Sequence, residues 1–156
     1  GVAKNFSISI GLATFLVSIS ILILWVPLKQ KIGIGTISNA IIIAFTIDCF
    51  VYLLPLTKNT FLSIIEMIIG ILLVGIGSGI YLITNLGPGT RDGLMKGISE
   101  NFDKPIYLIR LSIEIVVVIL GWILGGTVGL GTLMFAVLIG PIISVSLIVI
   151  KRTDKK

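Results

Sequence analysis

The chain contains no histidine and one cysteine, Cys49, which falls inside an apolar run. A disulfide within the chain is excluded, and a dedicated zinc or haem site is not expected. Charge is also scarce. Charged residues make up 12% of the chain against 56% hydrophobic ones, with a mean hydropathy of +1.18, whereas an average soluble domain carries roughly 25% charge. The net charge of +5 would suit nucleic acid only on a basic face of a soluble fold. Here Lys and Arg fill short gaps between apolar runs, so no nucleic-acid partner is expected. No nucleophile–base pair or metal-ligand set is recognisable, so the chain does not read as an enzyme and no metal or cofactor is implied. It opens at Gly1 without the charged start or cleavage pattern of a signal peptide.

What the chain does have is long apolar runs, at 8–28, 37–56, 61–86, 106–124 and 133–150. As helices they extend about 27–39 Å, which suits a hydrocarbon core of about 30 Å. Runs this long without alternation mean helices, because lipid leaves no partner for an open backbone. The expected architecture is all-α, a polytopic transmembrane bundle of five spans in a single membrane domain, with the lipid bilayer as its surroundings. Lys29 and Lys31, then Arg91, Lys96 and Lys104, then Lys151, Arg152, Lys155 and Lys156 share one side of such a bundle. Lys4 and Lys58 lie on the other. The positive-inside rule then puts the C-terminus in the cytoplasm and Gly1 outside. Trp25, Trp122, Tyr52, Tyr81 and Tyr107 fall near span ends, where interfacial aromatics belong.

Residues 1–48 align on 97–144 without a gap. Matches between apolar spans carry little weight, but those in the connections carry more. Gly1, Asn5 and Phe6 match Gly97, Asn101 and Phe102, and Gly33-Ile34-Gly35-Thr36 matches Gly129-Leu130-Gly131-Thr132. This reads as an internal duplication, with a partial first copy at 1–56 and a second at 61–152. The second copy has a helix before Gly97 that the first lacks, so about 36 further residues and a sixth span are expected ahead of Gly1. A three-helix repeat is odd, so the two copies should be inverted in the membrane, as in many secondary transporters.

Leu86-Gly87 with Asp92-Gly93-Leu94 and Gly97-Ile98-Ser99, then Gly129-Leu130-Gly131-Thr132 and Ala136 to Pro141, resemble the YczE/YyaS/YitT-type family of bacterial integral membrane proteins. The likeness is closest to the YczE-like branch and covers essentially the whole chain. The family's first helix and the Leu-Gly-x-x-Pro-x-Asp-like segment after it are not found here. The resemblance implies a multi-helix plasma-membrane protein and supplies neither a substrate nor catalytic residues.

The one long polar interruption is Gly87-Pro88-Gly89-Thr90-Arg91-Asp92-Gly93. Pro88 and its glycines end the third run, and Thr90 or Asp92 can cap a short amphipathic helix reaching about Glu100. The plainer expectation is a capped cytoplasmic turn on the membrane surface. The other is a re-entrant or ligand-facing segment, whose free N–H groups beside Arg91 could hold an anion. No Gly-Lys-Ser/Thr follows, so it is not a P-loop, and Ser38 stands where a dinucleotide fingerprint needs its third glycine after Gly33 and Gly35. Thr36 and Thr132 are expected N-caps of the second and fifth spans, after Gly33, Gly35, Gly129 and Gly131. These two helix starts either only turn the chain or point toward a shared site.

Charges inside apolar runs are costly and are candidate pathway residues. Arg110 and Glu114 are spaced to pair on one helix face. Asp48 and Glu66 flank the hairpin at 56–60 and could approach each other, with Asn39 lining the same interior. Gly70, Gly75, Gly77 and Gly79 make a small-residue face for close helix packing, within the chain or in a dimer or with another membrane protein. The functional expectation is a transporter-like protein for a small solute of unknown identity. The other is a non-transporting accessory or scaffold membrane protein supporting another enzyme or complex.

Overall fold

A computed structural model describes residues 1–53, 59–83 and 86–153, which contain seven helices and no strand. They are α1 (Val2–Phe6), α2 (Ile10–Ile23), α3 (Ile34–Leu53), α4 (Thr60–Ile83), α5 (Thr90–Phe102), α6 (Ile106–Ile123) and α7 (Leu130–Thr153). α3, α4, α6 and α7 are each long and apolar enough to cross a membrane. The first expected span is shorter than the apolar run that suggested it. α2 stops at Ile23, the chain turns through Trp25 and Pro27, and Lys29 adopts a left-handed φ of 52°. Its 14 residues reach about 21 Å, less than a hydrocarbon core. The expected hairpin at 56–60 falls largely outside the described residues, as do Lys58, Lys155 and Lys156 of the charge pattern.

The helices turn large apolar side chains outward. Ile34 is 84% exposed, Val26 77% and Phe45 73%. Soluble proteins rarely show so much contiguous apolar surface, but in lipid it is solvated and costs nothing. Packing therefore depends on small residues and close backbones. Gly75 of α4 seats Ile142 of α7, and Gly79 seats Ser146, whose Oγ–H donates to the Ile76 carbonyl at 3.4 Å. Gly131 faces Met67 further back, so α4 and α7 run parallel. The partner of the Gly75–Gly79 face is thus in the same chain. Gly140 brings α7 against the backbone of α6 at Tyr107, and Gly11 brings α2 against α3 at Ala44.

Two bodies result, α2 with α3 and α4 with α6 and α7, and α5 is packed between them. Leu94 of α5 joins Ile21 and Trp25 of the first body, and Met95 joins Ile139 and Ile143 of the second. The two aligned sequence stretches also begin and end helices at matching places. Ser7 and Asp103 are left-handed caps at φ 51° and 48°, Ile10 and Ile106 start α2 and α6, and Ile34 and Leu130 start α3 and α7. The Asn5 amide donates to Gly1 O at 3.1 Å as that of Asn101 donates to Gly97 O at 2.8 Å.

Candidate functional site

The site is built by α5, whose polar sequence is held inside the bundle. Thr90, Asp92, Gly93, Leu94, Met95 and Gly97 are all buried, so this segment is not the surface turn that was the plainer expectation. Trp25 explains how. Its indole is 1% exposed, its Nε1–H donates to the Thr90 carbonyl at 3.0 Å, and its ring covers Gly93 where any Cβ would collide with it. Trp25 is therefore a buried clamp, not an interfacial anchor. Nor do Thr90 and Asp92 cap the helix. Gly89 is the N-cap with no side-chain bond, and Asp92 is turned toward other partners.

The helix start of α3 docks on the loop before α5. The Gly35 N–H donates to Leu86 O at 2.8 Å, and the Thr36 hydroxyl donates to Pro88 O at 2.7 Å. Gly87 holds a φ of 106° with backbone against Gly33, a place only glycine fills without strain. Thr36 is not the N-cap, since α3 begins at Ile34. From the third helical position its Oγ accepts the Gly33 N–H at 3.3 Å, as a capping-box residue does. Thr132 likewise lies inside the first turn of α7, which begins at Leu130. The two Gly-x-Gly-Thr starts do not meet. The first meets α5, and in the second Gly131 meets Met67 while the space around Gly129 is open.

Four charges gather where α5 meets α6. Arg110 and Glu114 pair as their spacing suggests, Nη2 to Oε1 at 2.9 Å, both with 4% of the side chain exposed. Arg110 Nη1 also donates to Asp92 Oδ1 at 2.8 Å. The Tyr81 hydroxyl donates to the other oxygen of Asp92 and accepts the Gly89 N–H at 3.1 Å. Asn39 of α3 approaches the same glycine. At the other end Arg91 Nη1 stands 3.8 Å from Glu114 Oε1, with 35% of its side chain exposed. Burial pushes the Asp92 carboxyl above its usual range, against the pull of Arg110 and a Ser78 hydrogen bond. Burial draws Arg91 downward, with Glu114 opposing. Glu114 Oε1, though near two guanidinium groups, takes no aligned hydrogen bond.

Asp48 and Glu66 go to different helix pairs. Both oxygens of Asp48 are used at the start of α2, accepting the Ser9 hydroxyl at 2.6 Å and the Gly11 N–H at 2.7 Å. Glu66 is exposed on α4, which packs on α7. Tyr81, Ser78 and Trp25 are the site residues that sequence reasoning missed. A glycine inside a helix, Gly93, was the one available sign of a close neighbour.

A cavity reaches this cluster from one end of the bundle, and a cleft lies toward the other. The cavity of ≈ 420 Å³ is lined by Arg91, Glu114, Val117, Trp122, Thr132 and Phe135. A wider one of ≈ 720 Å³ adjoins it through Arg91, Val117 and Gly121 and carries Lys4. Both lie toward the start of α7. A cleft of ≈ 260 Å³ lies toward the far end of the α4–α7 pair, lined by Lys29, Lys31, Lys96, Leu82, Gly87 and Tyr81. Tyr81 thus stands between this cleft and Asp92.

The profile of DUF6198, a family of unknown function, matches residues 1–147. The chain belongs to this family. It is 42% identical over 152 residues to an uncharacterized protein of Haemophilus influenzae, covering 97% of this chain and 70% of that one. It is 36% identical over 114 residues to the uncharacterized membrane protein YczE of Bacillus subtilis, covering 73% of this chain and 53% of that protein. With the uncharacterized protein YyaS of the same organism it shares 29% over 157 residues, 97% of this chain and 78% of the relative. The expected resemblance to YczE and YyaS holds. No solved structure matches this DUF6198 chain. A relative named as a membrane protein and helices apolar on the outside together make it a membrane protein whose surroundings are a lipid bilayer.

Proposed function

We propose that this DUF6198 chain is a transporter-like protein of the bacterial plasma membrane that carries a small solute past the α5 charge cluster. One observation carries the reading: the Asp92–Arg110–Glu114–Arg91 cluster lies between a cavity that Arg91 and Glu114 line and a cleft, at the other end of the bundle, that Tyr81 lines. Intramembrane charge retained against its desolvation cost marks solute pathways. Rocking of α2–α3 against α4–α6–α7 about α5 would open one side as it closes the other. Matched helix starts and left-handed caps support two copies of one repeat, and the three spans α4, α6 and α7 of the second copy, an odd number, support their inversion. The lysine-lined cleft then faces the cytoplasm, and the Gly1 side faces out. α2, with its turn at Trp25, counts as the first of five spans. The cluster acts as a polar path without bond chemistry, so the protein is not an enzyme.

The test is a flux assay in proteoliposomes under a pH gradient, comparing the wild-type protein with Glu114→Gln across a panel of small solutes. Wild-type flux that Glu114→Gln lowers at least tenfold is expected. Flux indifferent to the substitution removes the cluster from the pathway, and no flux of any solute removes transport. A second reading, a homodimer or an accessory subunit beside another membrane protein, draws on Gly70 and Gly77 of α4, which face open space. It predicts no flux of any solute through the wild-type protein, and loss of co-purification with a partner in Gly70→Leu.

A further inference from the structure

We infer that the cavity beside Arg91 and Glu114 binds a small zwitterion of the α-amino-acid class with an apolar side chain. This deepens the transport reading and rests on the same pathway. The charges decide the class. Arg110 is used on both sides, Nη1 by Asp92 and Nη2 by Glu114. The cavity is lined by one cation and one anion, Arg91 and Glu114. Arg91 presents a third of its side chain, and Glu114 Oε1 is buried beside it, in ion-pair contact with Arg110 Nη2 at 2.9 Å but with no aligned donor. Their 3.8 Å separation is too long for a hydrogen bond between them. Two carboxylates and two guanidinium groups sum to zero. A lone anion would put net charge into a low-dielectric site and face Glu114. A lone cation would do the same and face Arg91. A zwitterion keeps the sum at zero and satisfies both, its carboxylate on Arg91 and its ammonium on Glu114 Oε1.

Size and lining agree. The cavity of ≈ 420 Å³ lies within the roughly 300–1,000 Å³ of small-molecule sites. Beyond the charged end its walls are Val117, Val118, Trp122 and Phe135, with Thr132 as a further hydroxyl. An aliphatic side chain of leucine size fits this division of polar and apolar ends.

The experiment is equilibrium binding of radiolabelled L-leucine to the detergent-solubilised protein, with flux of the same compound measured in proteoliposomes. The competitors are leucine methyl ester, which lacks the carboxylate, and 4-methylpentanoate, which lacks the ammonium. Leucine is expected to bind, and each competitor to be at least tenfold weaker, since each loses one charge-assisted contact. Arg91→Gln and Glu114→Gln are each expected to lower leucine affinity roughly tenfold to hundredfold. The competitor series needs only the wild-type protein, so a variant that does not fold leaves the test intact. No leucine binding to folded wild-type protein overturns the assignment, as does equal competition by the ester or the acid. Leucine binding without flux overturns transport and keeps the site. Flux of another solute that depends on Glu114, without leucine binding, keeps transport and overturns the site.

Discussion

The two ends of the charge cluster hold the same kinds of group in different ways. At one end Asp92 is closed between Arg110 and Tyr81, with 9% of its side chain exposed and short bonds to both. At the other, Glu114 and Arg91 stand 3.8 Å apart beside a cavity, and Arg91 is a third exposed. Coulomb attraction alone would close both pairs. The difference lies in what each end is packed against. Asp92 is enclosed by Arg110 of α6 and Tyr81 of α4, while Arg91, the residue before it, lines the cavity with Val117 of α6 and Phe135 of α7. A closed pair fixes the helix, and an open one leaves charge to be met by something else.

The largest effect should come from breaking the closed end. Arg110→Leu removes the one cation that both Asp92 and Glu114 touch at short range, leaving two carboxylates buried. Truncating one member of a buried pair costs about 3–5 kcal/mol. Thermal unfolding of the solubilised protein should show this loss, and adding Asp92→Asn should recover part of it. A cost under about 1 kcal/mol, the range of an exposed pair, would mean that water reaches the closed end as freely as the open one.

Tyr81→Phe should come next. It leaves Asp92 with Arg110 but takes away the phenol that bonds its second oxygen. A hydrogen bond to a charged group contributes about 1.5–3 kcal/mol, so the same unfolding measurement should register a loss of that order. Equal stability of the two proteins would assign Tyr81 to the cleft alone. Gly93→Ala follows, because its methyl group would meet the Trp25 ring. Overpacking of this kind costs about 1–3 kcal/mol, and displacement of the indole should shift tryptophan fluorescence. Gly70→Ala, which meets open space on α4, is the control.

How much of this was legible beforehand depends on the distance over which the cause acts. The apolar runs and the Arg110–Glu114 pair are set within one helix, where a period of 3.6 residues is enough to read them. The boundaries of α4, α6 and α7 follow closely from the runs. The burial of α5 was not legible, because its sequence is polar and a polar helix reads as a surface one. Its apolar cover comes from Trp25 in a turn 65 residues earlier. The Asp92–Arg110 bond joins two helices across a turn at Asp103, and Tyr81 reaches Asp92 from the end of α4. None of these has a local period. Charge in an apolar run makes Asp48 conspicuous in the sequence, but its bonds to the Ser9 hydroxyl and Gly11 N–H at the start of α2 depend on how α2 and α3 are packed.

The smallest effect on stability should come from the open end, and that is what makes it informative. Arg91→Gln removes a guanidinium that is partly solvated and 3.8 Å from its nearest carboxylate, so screening leaves about 0–1 kcal/mol to lose. Glu114 keeps Arg110 at 2.9 Å in the variant. A double-mutant cycle of Arg91→Gln with Glu114→Gln should therefore give a coupling below about 1 kcal/mol in unfolding. The Arg110–Asp92 cycle should give a larger one. If the Arg91–Glu114 coupling equals that of the closed pair, the two ends are alike, and Arg91 is a structural residue with no charge to offer the cavity. If it is small in unfolding while leucine affinity falls sharply in Arg91→Gln, the same guanidinium contributes little to the fold and much to the ligand, which is how a binding group differs from a packing one.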